Sequence, residues 1–408
     1  MRERVFITGI GCISSFGIGH REFAEAILAG KSGIVPVTAF DTSSCRAHRA
    51  ATIQGFDPAS FMSPLKLRRV DVVGRLALVC ARLTLEDAAW ATSVEGTDDV
   101  GVVLGTYTAG LDSTVEYLRG FEKNGAAGVP ALLFSNTVSN APGSLCAIEY
   151  GLRGPNVTFN QREASSLAAL AFAGGSVRDG RVAAILTGGA DQLEETFFKV
   201  EDRFGALSPR RSGTEEAARP FDRRRNGFVL GEGAFTLLVE SGTSARRRGA
   251  RAYGELVGIG ATNSITAINA WPIESSGISG AMALAIADAG LEASDIDVVF
   301  AAANGSVDLD AVEAQAIREV FRDRRIPVVS LKGAIGESGA VGAASVVAGM
   351  LTIASGVVAP TAGFAARDPR CPVAVSSDAR PAAGRVFVVN SVASGGANYS
   401  LVVRAGEP

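Results

Sequence analysis

Three polar residues stand in loops where strand-to-helix connections would bring them to a common cleft. They are Glu163 in Gln161-Arg162-Glu163-Ala164, Asn304 in Asn304-Gly305-Ser306, and Glu337 just after Lys332-Gly-Ala-Ile-Gly336. Glu163 precedes the small-residue stretch Ala164 to Gly174. A carboxylate there complements the positive end of a helix, worth about 0.3–1 kcal/mol, and Arg162 is at hand to pair with it. The same carboxylate could instead serve as a nucleophile or general base. Glu163 and Glu337 meeting across a cleft would form an acid–base couple if burial raised one pKa; otherwise each would be solvated or take hydrogen bonds from backbone amides. Other chemistries find little support. The histidines are only two, His20 and His48, and the five cysteines (Cys12, Cys45, Cys80, Cys146, Cys371) form no CxxC. Cys45-Arg-Ala-His48 has half the ligands of a metal site and no second pair. Gly9-Ile-Gly11 after a strand lacks the third glycine and the distal acid of a dinucleotide fingerprint. Neither a GxSxG elbow nor a phosphate-binding GxxxxGK[ST] loop occurs.

The elements that would position these residues are written twice. Leu85-Glu-Asp87-Ala-Ala89, then a polar stretch and Asp98-Asp99-Val-Gly-Val-Val-Leu-Gly105, returns as Ile286-Ala-Asp288-Ala-Gly290 and Asp295-Ile-Asp297-Val-Val-Phe-Ala301, with Asp87 and Asp288 lying 201 residues apart. In the first copy a helix over Ala141 to Tyr150 leads to the strand Pro155 to Phe159, a tight loop, the helix Ala164 to Gly174 and the strand Val182 to Thr187. In the second, a helix over Ala311 to Phe321 leads to the strand Ile326 to Ser330, the loop Gly333 to Gly339, the helix Ala340 to Ile353 and the apolar run Val357 to Ala359. Apolar runs of strand length alternating with longer helical stretches indicate an α/β fold with parallel βαβ units. Two such halves, 1–250 and 251–408, would pack about a pseudo-twofold axis as a single compact unit, their loops near 160–165 and 333–339 facing one another at the carboxyl ends of the strands.

Composition narrows the classes. The 408 residues carry 39 basic and 42 acidic side chains, a net charge of −3, which argues against a nucleic-acid partner. No run of about 18 apolar residues offers a membrane span. The first residues, Met1-Arg-Glu-Arg-Val5, enter a strand-like run without a signal-peptide core, and scattered cysteines suit a reducing cytoplasm. Only five of the basic residues are lysines. Short arginine clusters (Arg68-Arg69, Arg210-Arg211, Arg223 to Arg225, Arg246 to Arg248) read as solvated surface or as a dock for an acidic protein and its phosphate.

Several stretches together resemble the β-ketoacyl synthases: Val5-Phe-Ile-Thr-Gly9-Ile-Gly11, Gly151-Leu-Arg-Gly154-Pro-Asn-Val-Thr158, Thr187-Gly-Gly-Ala190, Arg219-Pro-Phe-Asp222, Gly227-Phe-Val-Leu-Gly231-Glu-Gly233, and Asn390-Ser391 followed by Gly395-Gly396. They span the chain in the family's order. The resemblance implies a thiolase-like fold, duplicated βαβαβ halves in a five-layer α-β-α-β-α sandwich. It also implies a cysteine nucleophile at a helix N-terminus, where thiolate is favoured, and two histidines that assist decarboxylation and oxyanion stabilisation. At the matching positions this chain carries Glu163, Asn304 and Glu337 instead. Glu163 could there mimic a malonyl carboxylate or hold an acyl-carrier arm. Lys332 and Glu313 match scaffold positions, for which the resemblance implies a buried ion pair bracing the cleft.

A fold kept without its nucleophile, and the loop Asn304-Gly-Ser-Val-Asp-Leu-Asp310-Ala-Val-Glu313, resemble the chain length factors of type II polyketide systems. That resemblance implies a non-catalytic subunit in a heterodimer with an active ketosynthase, fed by an acyl carrier protein whose phosphopantetheine enters through the partner, with no cofactor of its own. It implies a channel lined from the segment after Gly105-Thr106, where Leu111, Thr114, Leu118 and Ser135 are candidate gate residues. The same spacing suits an ordinary interface helix. The alternatives are a stand-alone malonyl-carrier-protein decarboxylase making starter units, and an atypical β-ketoacyl synthase.

Overall fold

The computed structural model describes residues 3–90, 99–129, 131–209 and 215–406; Asp98 and Arg210-Arg211 lie outside them. Ten strands build the main sheet: β1 Val5–Ser14, β2 Val100–Gly105, β3 Asn156–Phe159, β4 Ala184–Asp191, β5 Gly233–Ser241, β6 Gly254–Asn263, β7 Val298–Phe300, β8 Val328–Val329, β9 Val386–Val392 and β10 Ala397–Ala405. A further short strand, Gly17–Ile18, pairs with β1. The spatial order is β8-β7-β9-β10-β6-β1-β5-β4-β2-β3. Read from the middle outward, each strand has its counterpart five places later in the numbering. Pairing directions match as well: β2 is parallel to β3 and β4, and β7 is parallel to β8 and β9. Among the described residues, the strand pairing between the two five-stranded halves of the sheet is Phe6 opposite Glu255 and Ile7 opposite Gly254.

The repeat visible in the sequence has a mechanical purpose. Asp87 ends the helix α1 (Val72–Asp87) and its Oδ2 accepts the Ile10 amide of β1 at 2.8 Å, while Asp288 ends the helix α5 (Ser276–Asp288) and its Oδ2 accepts the Ile259 amide of β6 at 3.0 Å. Each aspartate ties an outer helix to the strand beneath it. Gly9 and Gly11 let α1 lie close on β1, since a Cβ on Gly11 would sit 2.3 Å from the Cys80 carbonyl oxygen. Close helix packing, not nucleotide binding, accounts for that glycine pair.

Between α1 and α5 the chain forms α2 (Leu111–Asn124), α3 (Ala141–Tyr150) and α4 (Ser165–Arg178), and after α5 come α6 (Val307–Phe321) and α7 (Val341–Ala354). Helices α4 and α7 pack against each other and against strands of both halves, whereas α1 and α3 cover one sheet half and α5 and α6 the other. The result is the five-layer α-β-α-β-α sandwich. Covered on every side, α7 is buried without a break from Val341 to Met350, so it is apolar all round with no polar stripe.

One element departs from the sequence reading. The run Val357–Val358 pairs with Arg380–Pro381 in a separate two-stranded sheet, and the true counterpart of β4 is β9, 29 residues further on. Pro360 follows the run closely and cannot donate to a ladder, while the valine-rich β9 fills the parallel slot beside β7.

Gly11→Ala should destabilise the protein by about 1–3 kcal/mol through overpacking against α1. Gly175→Ala in α4, where an added Cβ meets nothing within 4 Å, should instead be neutral or stabilising by about 0.5–1 kcal/mol. Urea unfolding midpoints of the two variants check both.

Candidate functional site

The starts of the two central helices meet at the pseudo-axis. The Ser166 amide donates to the Gly339 carbonyl at 2.9 Å, and the Ser166 hydroxyl accepts the Ala343 amide at 3.0 Å. Gly105 and Gly189, facing each other in β2 and β4, leave room for this junction. A Cβ on Gly105 would fall 2.2 Å from the Ser165 carbonyl carbon, and one on Gly189 only 3.1 Å from the Ala340 Cα. The loops carrying Glu163 and Glu337 are thereby brought to one place, as expected from the duplication.

Glu163 lies in the 3₁₀ turn Arg162–Ala164 ahead of α4 and is buried. Both its oxygens are engaged by Ser394: the Ser394 amide donates to Oε2 at 3.0 Å, and the hydroxyl reaches Oε1 at 2.9 Å and Oε2 at 3.0 Å. Arg162 Nε stands 3.8 Å from Oε2. This arginine holds a backbone φ of +51° and turns its guanidinium over the Tyr107 ring, 5.0 Å from the centroid, towards Glu201 and Asn269. A cavity of about 370 Å³ opens beside these groups, lined by Arg162, Glu163, Glu201, Asn269, Trp271 and Ser394 among others.

Asn304 and Glu337 sit deeper. Asn304 Nδ2 donates to Glu337 Oε2 at 2.7 Å, its Oδ1 accepts the Ser306 amide at 2.9 Å, and its own amide donates to Asp310 Oδ1 at 3.0 Å. Lys332 Nζ meets the same Glu337 Oε2 at 2.8 Å and donates to the Ala302 carbonyl at 2.6 Å. Burial pushes the Glu337 carboxyl up to about 7, against the pull of Lys332 and with a further push from Glu163. Burial likewise raises Asp310 to about 7.

The anticipated Lys332–Glu313 ion pair is not formed. Glu313 accepts the Ala302 amide at 2.8 Å, the Ala303 amide at 2.7 Å and Asn390 Nδ2 at 3.1 Å, and the carboxylate that Lys332 meets is Glu337. Two backbone amides at the end of β7 already claim Glu313, while Glu337 would otherwise be a buried charge without a cation, which is costly. The expected Arg162–Glu163 contact exists but is long, because Arg162 is drawn towards Tyr107 and Glu201.

The gate candidates lie apart from this site. Leu111, Thr114 and Leu118 are on α2 and Ser135 is on the 3₁₀ turn Ala131–Asn136; Leu118 and Ser135 are exposed, Leu111 and Thr114 half-buried. None lines the Glu163 cavity. Thr114 Oγ1 donates to the Gly110 carbonyl at 2.7 Å. His20 packs its ring on Tyr253, and His48 Nδ1 lies 3.2 Å from Thr42 Oγ1, so neither histidine reaches the cleft. Among the described residues no cluster of three metal-ligating side chains occurs, and no helix is long and apolar enough to cross a membrane. The arginine clusters are partly structural: Arg225 is buried against Asp368 and Arg248 pairs with Glu240.

Sequence reasoning missed Ser394, although it falls between the quoted Asn390-Ser391 and Gly395. It also missed Asp191, which follows Thr187-Gly-Gly-Ala190 and collects the Tyr107 amide at 2.7 Å, the Thr108 amide at 2.8 Å and the Thr106 hydroxyl at 2.9 Å. A lone aspartate ending a strand carries no signal of its own.

The Beta-ketoacyl synthase N-terminal domain matches residues 2–245 and the corresponding C-terminal domain residues 253–365. The chain belongs to the β-ketoacyl synthase family. It is 30% identical to the 3-oxoacyl-[acyl-carrier-protein] synthase 2 of Coxiella burnetii, with 98% of each protein covered. It is 31% identical to the tetracenomycin polyketide synthase ketoacyl synthase alpha subunit of Streptomyces glaucescens, over 97% of this chain and 95% of that one. Among solved structures it superposes on the ishigamide ketosynthase/chain length factor with a TM-score of 0.91 at 32% identity, over the full length of both chains. The relatives of this chain thus include polyketide ketosynthase and chain length factor subunits, and its fold is the thiolase fold of those structures.

The Glu337 pKa gives a pH test. A carboxyl raised from the ordinary 4.5 to about 7 binds its proton more tightly in the folded protein than in the unfolded chain. The resulting stabilisation is complete below about pH 4.5 and lost as pH rises through about 7. Glu337→Gln should therefore flatten the fall in unfolding free energy between pH 5 and pH 8, by a slope approaching about one proton, measured by urea unfolding across that range. Asp310 should retain its own share of the slope in the variant.

Proposed function

We propose that this chain is the non-catalytic, chain-length-factor-like subunit of a type II polyketide synthase, paired with an active ketosynthase that condenses acyl and malonyl groups on a carrier protein. The observation that carries the reading is the state of the three positions where the family's nucleophile and histidines stand. Glu163 has both oxygens held by Ser394, Asn304 donates to Glu337, and Glu337 also meets Lys332. Each of the three groups is engaged by a neighbour of the fold, and Glu337 Oε1 is buried with no hydrogen-bond partner among the described residues. A nucleophile must be free to approach a thioester carbonyl, and a base must be free to accept a proton. The carboxylates here hold the cleft together instead.

Partner docking has support in the outer surface of the first half. Strand β3 ends the sheet, and an edge strand offers unpaired backbone groups to a second chain. Leu118, Phe121, Phe134 and Val138, on α2 and the segment after it, place four exposed large apolar side chains close together in the chain. A ketosynthase mate covering this face would place α2 at the shared interface, where Leu111, Thr114, Leu118 and Ser135 would set how far a growing chain extends. Carrier protein would be engaged by the mate, whose cysteine does the chemistry.

Co-expression with a ketosynthase that retains its cysteine and both histidines should yield a 1:1 complex with condensing activity. That activity should vanish on substituting the mate's cysteine and survive Glu163→Gln in this chain. The isolated chain should convert no malonyl-carrier protein to acetyl-carrier protein. Conversion that is lost on Glu163→Gln would establish an enzyme acting alone and overturn the proposal.

The channel assignment has its own test. In the active complex, Thr114→Trp or Ser135→Trp should shorten the products detected by mass spectrometry, whereas unchanged product length in both variants would remove these residues from the path.

A further inference from the structure

The far end of α6 carries a second cavity, of about 510 Å³, well away from Glu163, which borders the cavity at the helix's other end. Its rim is arginine: Arg318, Arg322, Arg324 and Arg325 from the end of α6 and the turn after it, and Arg367 from a separate loop. Ile317, Ile326 and Val373 lie beneath. Arg324 is held by the Ala293 and Ser294 carbonyls, at 2.8 and 3.0 Å. The guanidinium groups of Arg318, Arg322, Arg325 and Arg367 have no carboxylate or carbonyl partner among the described residues. The acids nearby offer little balance. Asp368 is taken by Arg225 and Arg370, leaving Asp323 against five arginines. Arg4, Arg178 and Arg248, by contrast, each face a carboxylate.

Structural roles do not absorb this charge. A helix C-terminus presents about half a negative charge, and one arginine balances it. Arg322 is also placed against backbone preference. It closes α6 at φ +52° and ψ −122°, a conformation that glycine adopts freely and an L side chain strains to reach. An arginine kept there, beside three others without partners, makes sense if the side chain has an external ligand. Guanidinium forks match phosphate oxygens in bidentate geometry, and the cavity volume falls in the usual range for small-molecule sites.

We propose that this cavity binds a diphosphate-bearing small molecule of the nucleotide class, its phosphates held by Arg318, Arg322, Arg325 and Arg367 and its nucleoside body resting on Pro369, Pro372 and Val373. The site is formed wholly by this chain, and the inference is independent of the reading of the Glu163 cleft. A cavity rimmed by arginines favours a small anion over the flat face of an acidic protein.

Isothermal titration of the full chain, in whatever complex it purifies, tests this with ADP, pyrophosphate and adenosine as separate probes. ADP should bind with a Kd below about 100 µM at about 50 mM salt and more weakly as salt is raised. Pyrophosphate should compete with it, and adenosine should bind far more weakly than ADP. Arg322→Gln combined with Arg367→Gln should weaken ADP at least about tenfold, as should Arg318→Gln with Arg325→Gln. Arg181→Gln, at an exposed ion pair with Asp179, should leave the affinity unchanged and so exclude a bulk charge effect. Absence of saturable ADP binding up to about 1 mM, or equal affinity in wild type and both double variants, overturns the proposal. Pyrophosphate binding as tightly as ADP would overturn the nucleoside part.

Discussion

The junction of the two central helices at Ser166 and Gly339 is the constraint on which the site depends. Helix starts can come this close only where the strands beneath them carry no side chain, and Gly105 and Gly189 supply that space. Once α4 and α7 are locked end to end, their preceding loops have one place to go. Glu163 and Glu337 are delivered to the same cleft from positions 174 residues apart, without any direct hydrogen bond having to draw them together. The same close packing excludes water, and it is burial that raises Glu337.

The buried carboxylates Glu163 and Glu337 set what the surrounding fold must provide. An ionised carboxylate needs several donors or a cation, and is expensive without them. Ser394 supplies an amide and a hydroxyl to Glu163, while Lys332 and Asn304 converge on one oxygen of Glu337. The first of these contacts links the two halves: Glu163 in the first half is bound to Ser394 beyond β9 in the second.

Much of the fold was legible in the chain. Asp87 and Asp288 announced the duplication because the same tie between helix and strand recurs and demands the same residue type. The small-residue stretches after Ala164 and Ala340 marked the central helices, since a helix between two sheets cannot afford bulk or charge on any face. The loops carrying Glu163, Asn304 and Glu337 were visible by their spacing from glycine motifs. By contrast, the run at Val357 looked like a sheet strand because two or three apolar residues have the same period wherever they pair.

What the sequence determined by itself was therefore local and periodic: which segments are strands or helices, that the pattern occurs twice, and which residue types occupy the loops at the strand ends. Tertiary structure alone decided the partners. Lys332 has a flexible stem within reach of more than one acid, and only the folded backbone shows that the Ala302 and Ala303 amides have taken Glu313 and left Glu337 to the lysine. Arg225 and Arg322 are both arginines in basic stretches, yet one is buried in ion pairs and the other, on a cavity rim, has no ion pair among the described residues. Charge and spacing are properties of the chain; whether a charge is matched depends on distances that arise only when remote segments meet.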